Sequence, residues 1–487
     1  MLRLLSLSVA CFTCAALTAQ AQSTDYDASF DKLAIQLDEI DGPYAEIGHF
    51  EYIVPSEDPA TRPVTFLWNG GPGASSIYLH MMAVGPKILE TTGDGSFVDA
   101  TGRVIDNPHS WLEFTDLVFV DPVGTGLSRA VTKEGELTDG SPFWTPETDI
   151  NALGTFIRTW LSENDRWMSP LIIAGESYGG TRVAELSITL PSEFGVQVDK
   201  AVLISPYFGD RMAEVTARYG VLEPALIMPT YAAIAASHGR GTTTIDFADP
   251  DTIWTQMADV NDFAMSEYMI GLSRTGSADV DANNMFYKNI SEIVGLNARD
   301  VAVRMGRIDF DDYAKNFFEE GLVLDIYDGS QINPDPLADK PGSSSLAPTL
   351  VTLEPRIARA AFPYFQDVLG MQDLQDYELL NFDVYWDSTN LDIGHASDLA
   401  HALAYDEKLE ALVVHGVYDM VTPWFRSHYL MTQSILADAR PDARTPYAVD
   451  GTDARASLRA YEGGHMFYLY ENSRAQFFED VRDFIVD

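Results

Sequence analysis

Short apolar runs recur along this chain at residues 64–68, 117–120, 171–173, 201–204, 411–415 and 458–461. Their flanks are turn-forming, as expected of strands buried within a sheet. Between them the apolar positions take helical spacing. Leu153, Ile157, Trp160 and Leu161 share one face, residues 181–190 continue directly behind the run at 171–173, and residues 474–485 close the chain as an amphipathic helix. Strand, helix, strand, helix in this order predicts an α/β fold, a mostly parallel sheet with helices on both faces. Residues 49–54 and 64–68, joined by a turn-rich stretch, read as a hairpin, and the polar stretch from 22 to about 48 as an N-terminal arm. From about residue 207 to 397 the strand runs thin out and helical spacing dominates, as at 231–237, 260–270 and 301–305, with a Gly/Ser/Pro-rich loop near 335–348. The alternation then resumes at Leu399. This pattern divides the chain into a core in two parts, residues 22–206 and 398–487, and a mainly helical cap insertion, residues 207–397, over the carboxyl end of the sheet.

Residues 1–21 stand apart. Arg3 precedes an apolar stretch from 4 to 17, and Ala19-Gln20-Ala21 fits a small-residue cleavage site, so the segment reads as a secretory signal peptide and the protein as periplasmic or extracellular. The apolar stretch is shorter than the roughly 18 to 20 residues that span a bilayer, which argues against stable membrane association. Both cysteines, Cys11 and Cys14, lie in this leader. A mature chain of this size without disulfides relies on its core, and the absence of cysteine fits a bacterial exterior. Acidic residues outnumber basic ones by 73 to 31, for a net charge of −42, which excludes nucleic acid and anionic lipid as expected partners.

The run at 171–173 leads into Ala174-Gly175-Glu176-Ser177-Tyr178-Gly179-Gly180. Glycines on either side of a serine, between a strand and a helix, form a nucleophile elbow: strand and helix pack closely and the hydroxyl is held exposed on a strained turn. Asp419 follows the run at 411–415, and His465 follows Gly463 and Gly464 after the run at 458–461. The chain order Ser, Asp, His is that of the α/β-hydrolases. Each candidate sits past a strand's carboxyl end, where the side chains of an open α/β sheet converge on one crevice. Asn69-Gly70-Gly71-Pro72-Gly73, after the run at 64–68, supplies a loop whose amides can approach an oxyanion closely. His80, His109, His238, His395, His401, His415 and His428 show no metal-ligand spacing, so neither metal nor cofactor is expected. Asp309, Asp311 and Asp312 read as a solvated helix face, and the loop 121–126 lacks the lysine of a phosphate-binding loop. Trp424, Phe425, Phe467 and Tyr468 fit either core packing or a specificity pocket.

Together these segments resemble the serine carboxypeptidase family of α/β-hydrolases. The resemblance lies in the strings 66–76 (FLWNGGPGASS), 119–128 (FVDPVGTGLS), 175–180 (GESYGG) and 464–466 (GHM), which occur in the family's order. It implies an exported exopeptidase that removes the last residue of a peptide through an acyl-enzyme, often best at acid pH. It matches Ser177 to the nucleophile, His465 to the base and Asp419 to the orienting carboxylate. Gly71 and Tyr178 match the oxyanion hole, and Asn69, Gly70 and Glu176 the site for the substrate's terminal carboxylate. Glu176 would there share a proton with that carboxylate, since two like charges cannot both persist at such a distance; simple packing beside the elbow is its other reading. Three departures are visible. Ala83 stands where better known members carry a second glutamate, Ala74 replaces a cysteine, and Val417 stands where many members carry an additional aspartate. Ala83 leaves a second activity open, as an esterase or acyltransferase on small esters, and an inactive relative acting as a binding protein is the third reading.

Overall fold

A computed structural model describes residues 26–37, 42–96, 102–208, 220–248, 252–275, 281–318, 321–335, 347–385, 394–434, 447–449 and 455–486. The leader at 1–21 and most of the loop near 335–348 lie outside the described residues. Ten described strands form the main sheet: β1 (Asp27–Gln36), β2 (Tyr44–Ile53), β3 (Val64–Trp68), β4 (Asp116–Val120), β5 (Arg129–Val131), β6 (Leu171–Glu176), β7 (Lys200–Ile204), β8 (Glu410–Gly416), β9 (Tyr447–Val449) and β10 (Ala456–Tyr461). Their order is β1-β2-β4-β3-β6-β7-β8-β10-β9, with β5 added beside β2. From β4 to β9 every pairing is parallel, whereas β1, β2 and β5 join antiparallel at one edge.

Alternate residues of each central strand enter different layers, because successive side chains point to opposite faces. Leu171, Ile173, Ala201, Leu203, Ala411 and Val413 pack with Phe156, Ile157 and Trp160 of α1 (Pro146–Glu163) and Val183 of α2 (Tyr178–Thr189). Ile172, Ala174, Val202, Ile204, Leu412 and Val414 pack on the other side with Phe477, Phe478 and Val481 of the last helix, Glu471–Val486. Thr145 starts α1 as a reciprocal cap with Thr148. The long segment between β7 and β8 is mostly helical where described, and part of it forms a third apolar cluster around Tyr231, Tyr268 and Tyr313 that also takes in Val417, Met420 and Trp424. No described helix is long and apolar enough to cross a membrane.

The edge differs from the expected hairpin. β2 pairs with β1 and β4, while β3 lies between β4 and β6, with Val64 opposite both Asp116 and Leu171. All five residues of β3 are buried, and a strand buried at every position must have both its faces covered. The polar arm at 22–48 contains the outermost strand instead. β1 exposes Asp27, Asp31 and Lys32, and charge on an outer strand discourages further pairing.

Candidate active site

The site is built at the carboxyl ends of β3, β6, β8 and β10. Ser177 links β6 to α2 with φ of 60°, a conformation costly for a side chain with a Cβ. The surroundings hold it there: its amide donates to the Ile204 carbonyl at 3.0 Å, and its carbonyl accepts from Tyr207 and Gly180 at 2.9 and 2.8 Å. The loop at 69–73 lies directly against this turn. A Cβ on Gly70 would stand 2.5 Å from the Tyr178 nitrogen and 2.9 Å from Ser177 Cβ, so only glycine permits the approach. Gly71 and Tyr178 line the same cavity of about 260 Å³ as Ser177, Glu176 and His465.

Asp419 is fully buried and accepts four hydrogen bonds: from the amides of Val421 and Thr422 at 2.8 and 3.0 Å, from the Thr422 hydroxyl at 2.6 Å, and from His465 Nδ1 at 2.7 Å. Because the carboxylate accepts at Nδ1, that nitrogen carries the proton and Nε2 is left basic. Burial lowers the imidazole's pKa, but the field and hydrogen bond of Asp419 outweigh it, and the net direction is upward. The loop of His465 is fixed from two sides, by its amide donating to the Tyr327 carbonyl at 2.6 Å and by the Ser205 hydroxyl donating to its carbonyl at 2.8 Å. The Tyr327 ring meets the imidazole edge-on at 5.3 Å. Ser177 and His465 face the same cavity, and no hydrogen bond joins them among the described residues. Such bonds are often loose before a substrate compresses the site.

Glu176, the last residue of β6, is buried beside the serine. Its Oε2 accepts from Asn69 Nδ2 and its Oε1 from the Tyr468 hydroxyl at 2.8 Å. Asn69 is oriented in turn by the Leu79 amide, which donates to Asn69 Oδ1 at 3.1 Å. Burial raises the Glu176 pKa to about 7, against the opposing pull of His465, Tyr468 and Asn69 and with a smaller push from Asp419. At mildly acid pH the group is therefore a neutral acid able to donate a proton to an anion. Asn69 keeps a second amide hydrogen beyond the one given to Glu176.

The sequence candidates thus converge on one cavity: Asn69, Gly70, Gly71, Glu176, Ser177, Tyr178 and His465 line it, with Asp419 behind the histidine. Thr422 and Tyr327 were not legible as parts of the site. Thr422 stands three residues after Asp419, where a hydroxyl can reach back to it, which was the one available signal. Tyr468 was read as either core or pocket; its ring is buried and its hydroxyl reaches Glu176, so it belongs to both. Trp424 and Phe467 are core residues. The loop at 121–126 does not line the cavity; Asp121 instead braces the glycine loop from behind, accepting from the Ser76 amide and hydroxyl at 2.8 and 2.7 Å. Asp309 is exposed, as read, and caps helix Phe310–Asn316 by accepting from the Asp312 amide at 2.7 Å; Asp311 and Asp312 are half-buried, and Asp312 pairs with Arg304. His80 and His415 are buried singly, against the Tyr52 hydroxyl at 2.7 Å and the Ser427 hydroxyl at 2.9 Å, and burial lowers their pKa to about 3 and about 4. Among the described residues no cluster of three or more metal-ligating side chains occurs.

Comparison with known proteins bears on the sequence and the fold. Residues 46–194 match the sequence profile of the serine carboxypeptidase family. The chain is 28% identical over 148 residues to serine carboxypeptidase-like 10 of Arabidopsis thaliana, covering 30% of this chain and 32% of that protein. It is 34% identical over 145 residues to serine carboxypeptidase 1 of Hordeum vulgare, covering 28% of this chain and 26% of that one. The chain therefore spans about a third or less of the length of these curated relatives. They are eukaryotic and lend no support to the bacterial origin expected from the missing cysteines. The crystal structure of the prohormone-processing carboxypeptidase Kex1(delta)p from Saccharomyces cerevisiae superimposes with a TM-score of 0.54 at 15% identity, covering 95% of this chain and 91% of that one, which is a likeness of fold. Residues 46–194 thus match the serine carboxypeptidase family by sequence, and the described chain has an α/β-hydrolase fold like that of Kex1(delta)p.

Proposed function

We propose that the protein is an exported serine carboxypeptidase that hydrolyses the last peptide bond of a peptide with a free carboxyl end. The observation that carries this reading is Glu176, a buried carboxyl held by Asn69 and Tyr468 beside the nucleophile, with a pKa of about 7. A buried acid of this kind has little use in a general esterase. For a substrate ending in a carboxylate it supplies the shared proton that recognition requires.

The reaction follows from the placement of the groups. His465 Nε2 takes the Ser177 proton as the hydroxyl oxygen attacks the scissile carbonyl. The imidazolium so formed is stabilised by Asp419, whose charge stays on the carboxylate. The Gly71 and Tyr178 amides receive the oxyanion. Collapse of the tetrahedral intermediate breaks the C–N bond, and His465 returns the proton to the leaving amine, releasing an amino acid. Water then enters and gives a proton to His465 as its oxygen attacks the acyl ester; the ester bond breaks, His465 returns the proton to Ser177 Oγ, and the acid product leaves. In this reading residues 207–397 form a cap over the sheet, residues 22–206 and 398–487 the core, and residues 1–21 the export signal. The substrate is a peptide, with no nucleic acid or membrane partner.

The test is a matched pair, one N-acylated dipeptide as free acid and as C-terminal amide. Preferential release from the acid form, with loss of activity after phosphonate labelling of Ser177, supports the proposal; equal cleavage of both forms overturns it. A second reading, hydrolysis or transfer of small esters, rests on Ala83, which is buried in the core and brings no second carboxyl to the site. Turnover of esters alone would favour it.

A further inference from the structure

One polar atom at the cavity wall has no role in the chemistry above. Tyr78 follows the glycine loop on the short helical turn Ile77–Leu79 and is 4% exposed. Its ring packs within the apolar layer that contains Leu67 and Ala174. The residue also lines the cavity shared by Asn69, Glu176 and Ser177, and its buried hydroxyl has no hydrogen-bond partner among the described residues. An unpaired buried hydroxyl weakens a fold, and phenylalanine would fill the same space without that defect. The unsatisfied hydroxyl therefore points to a partner that arrives with the substrate. Burial, and then the nearby Glu354, Tyr327 and Glu176, push its pKa upward, so it remains a phenol and a donor.

We propose that the Tyr78 hydroxyl donates a hydrogen bond to the terminal carboxylate of the substrate, beside Asn69 and Glu176. This rests on the carboxypeptidase reading and adds a residue to it. Glu176 can contribute only by sharing a proton, and Asn69 only through one remaining amide hydrogen. The phenol brings its own proton and accepts no charge, so it can serve one carboxylate oxygen while Glu176 serves the other. No bond is made or broken at Tyr78.

The experiment compares wild type with Tyr78→Phe on the free acid and the amide of one N-acylated dipeptide, and records both thermal midpoints. The ratio of kcat/KM for acid over amide should fall about tenfold in the variant, carried by KM, the loss expected for a hydrogen bond to a charged group. The thermal midpoint should not fall, because the resting hydroxyl has no bond to lose. An unchanged ratio overturns the proposal. So does a lowered midpoint at unchanged ratio, or failure of the variant to fold, since either would make the hydroxyl a structural tie, for example to Glu354. Wild type that treats acid and amide alike sinks the carboxypeptidase reading and this one with it, whereas discrimination that survives in Tyr78→Phe sinks this one alone.

Discussion

The loops carrying Ser177 and His465 meet across one cavity, yet they are held by different parts of the molecule. The backbone partners of Ser177 are Ile204, Tyr207 and Gly180, all from the same stretch of sheet and the helix behind it. His465 depends on a distant segment, residues 325–331, inserted between β7 and β8. Tyr327 supplies both the carbonyl for its amide and the ring against its imidazole. That segment is tied down by its own network. Asp325 accepts from the Tyr327 and Thr349 amides at 2.8 and 2.7 Å, Gly329 donates to the Tyr418 carbonyl at 3.1 Å, and Asp328 accepts from the Tyr470 hydroxyl at 2.8 Å. The comparison teaches that the placement of Ser177 is a local product of strand, turn and helix, whereas His465 is positioned by long-range packing.

The largest expected effect tests whether the two loops act as a unit. Asp419→Asn should lower kcat by about 10³ to 10⁴-fold, because the amide offers His465 Nδ1 a donor and favours the wrong tautomer. Single-turnover kinetics on a peptide substrate would measure it, and a loss under tenfold would mean the histidine is held by Tyr327 and Ser205 alone.

A pair of glycine replacements separates the two modes of placement. A Cβ at Gly464 would stand 2.0 Å from the Tyr327 carbonyl oxygen, whereas one at Gly175 would stand 2.2 Å from the Gly179 carbonyl oxygen and 2.7 Å from Trp68 Nε1. Gly464→Ala should push the histidine loop off the inserted segment and reduce kcat about 10²-fold, the typical cost of a misplacement near 1 Å. Gly175→Ala should instead lower the thermal midpoint, since the clash lies between the main sheet and α2. If both variants showed the same balance of kcat and melting temperature, the distinction between the loops would fail.

Glu176→Gln acts on recognition. For wild type, kcat/KM on a free-acid peptide should fall as pH rises through about 7 and Glu176 loses its proton. The glutamine variant should lose about tenfold at acid pH and show no such limb. The effect of the substitution on stability carries the opposite sign to its effect on activity. The carboxyl's ordinary pKa is 4.5 and its folded value about 7, so between these limits only the unfolded chain gives up its proton, and stability declines as pH rises. Above pH 7 the glutamine variant should therefore be the more stable, by on the order of 3 kcal/mol, which chemical denaturation at pH 5 and pH 8 would detect.

Thr422→Val should give the smallest change. It removes one of four hydrogen bonds to Asp419 and the hydroxyl 3.2 Å from His465 Nδ1. A loss in kcat of about three- to tenfold is expected, read from initial rates.

Much of this site was legible before any coordinates. The elbow, the glycine loop and the order Ser177, Asp419, His465 could be read because each sits within a few residues of a buried strand, whose apolar run fixes where the chain leaves the sheet. That the central strands run parallel followed from the same runs; their order across the sheet did not. The edge did not. β1 is too polar to advertise itself, and its pairing with β2 is decided by which strand is left without a neighbour once β3 is enclosed on both sides. Thr422 escaped notice because its hydroxyl acts through a turn, and Tyr327 because nothing in its own neighbourhood distinguishes it from any other aromatic residue.

The amino-acid sequence by itself determined the α/β layering, the strained turn at Ser177 and the residue types available at the site, because these depend on periodicity and on neighbours within a few positions. Only the tertiary structure decided that burial raises the Glu176 pKa to about 7, that Tyr327 anchors the loop of His465, and that the Tyr78 hydroxyl is left without a partner among the described residues. Those properties come from desolvation and from contacts between residues far apart in the chain, and neither is encoded in any local pattern.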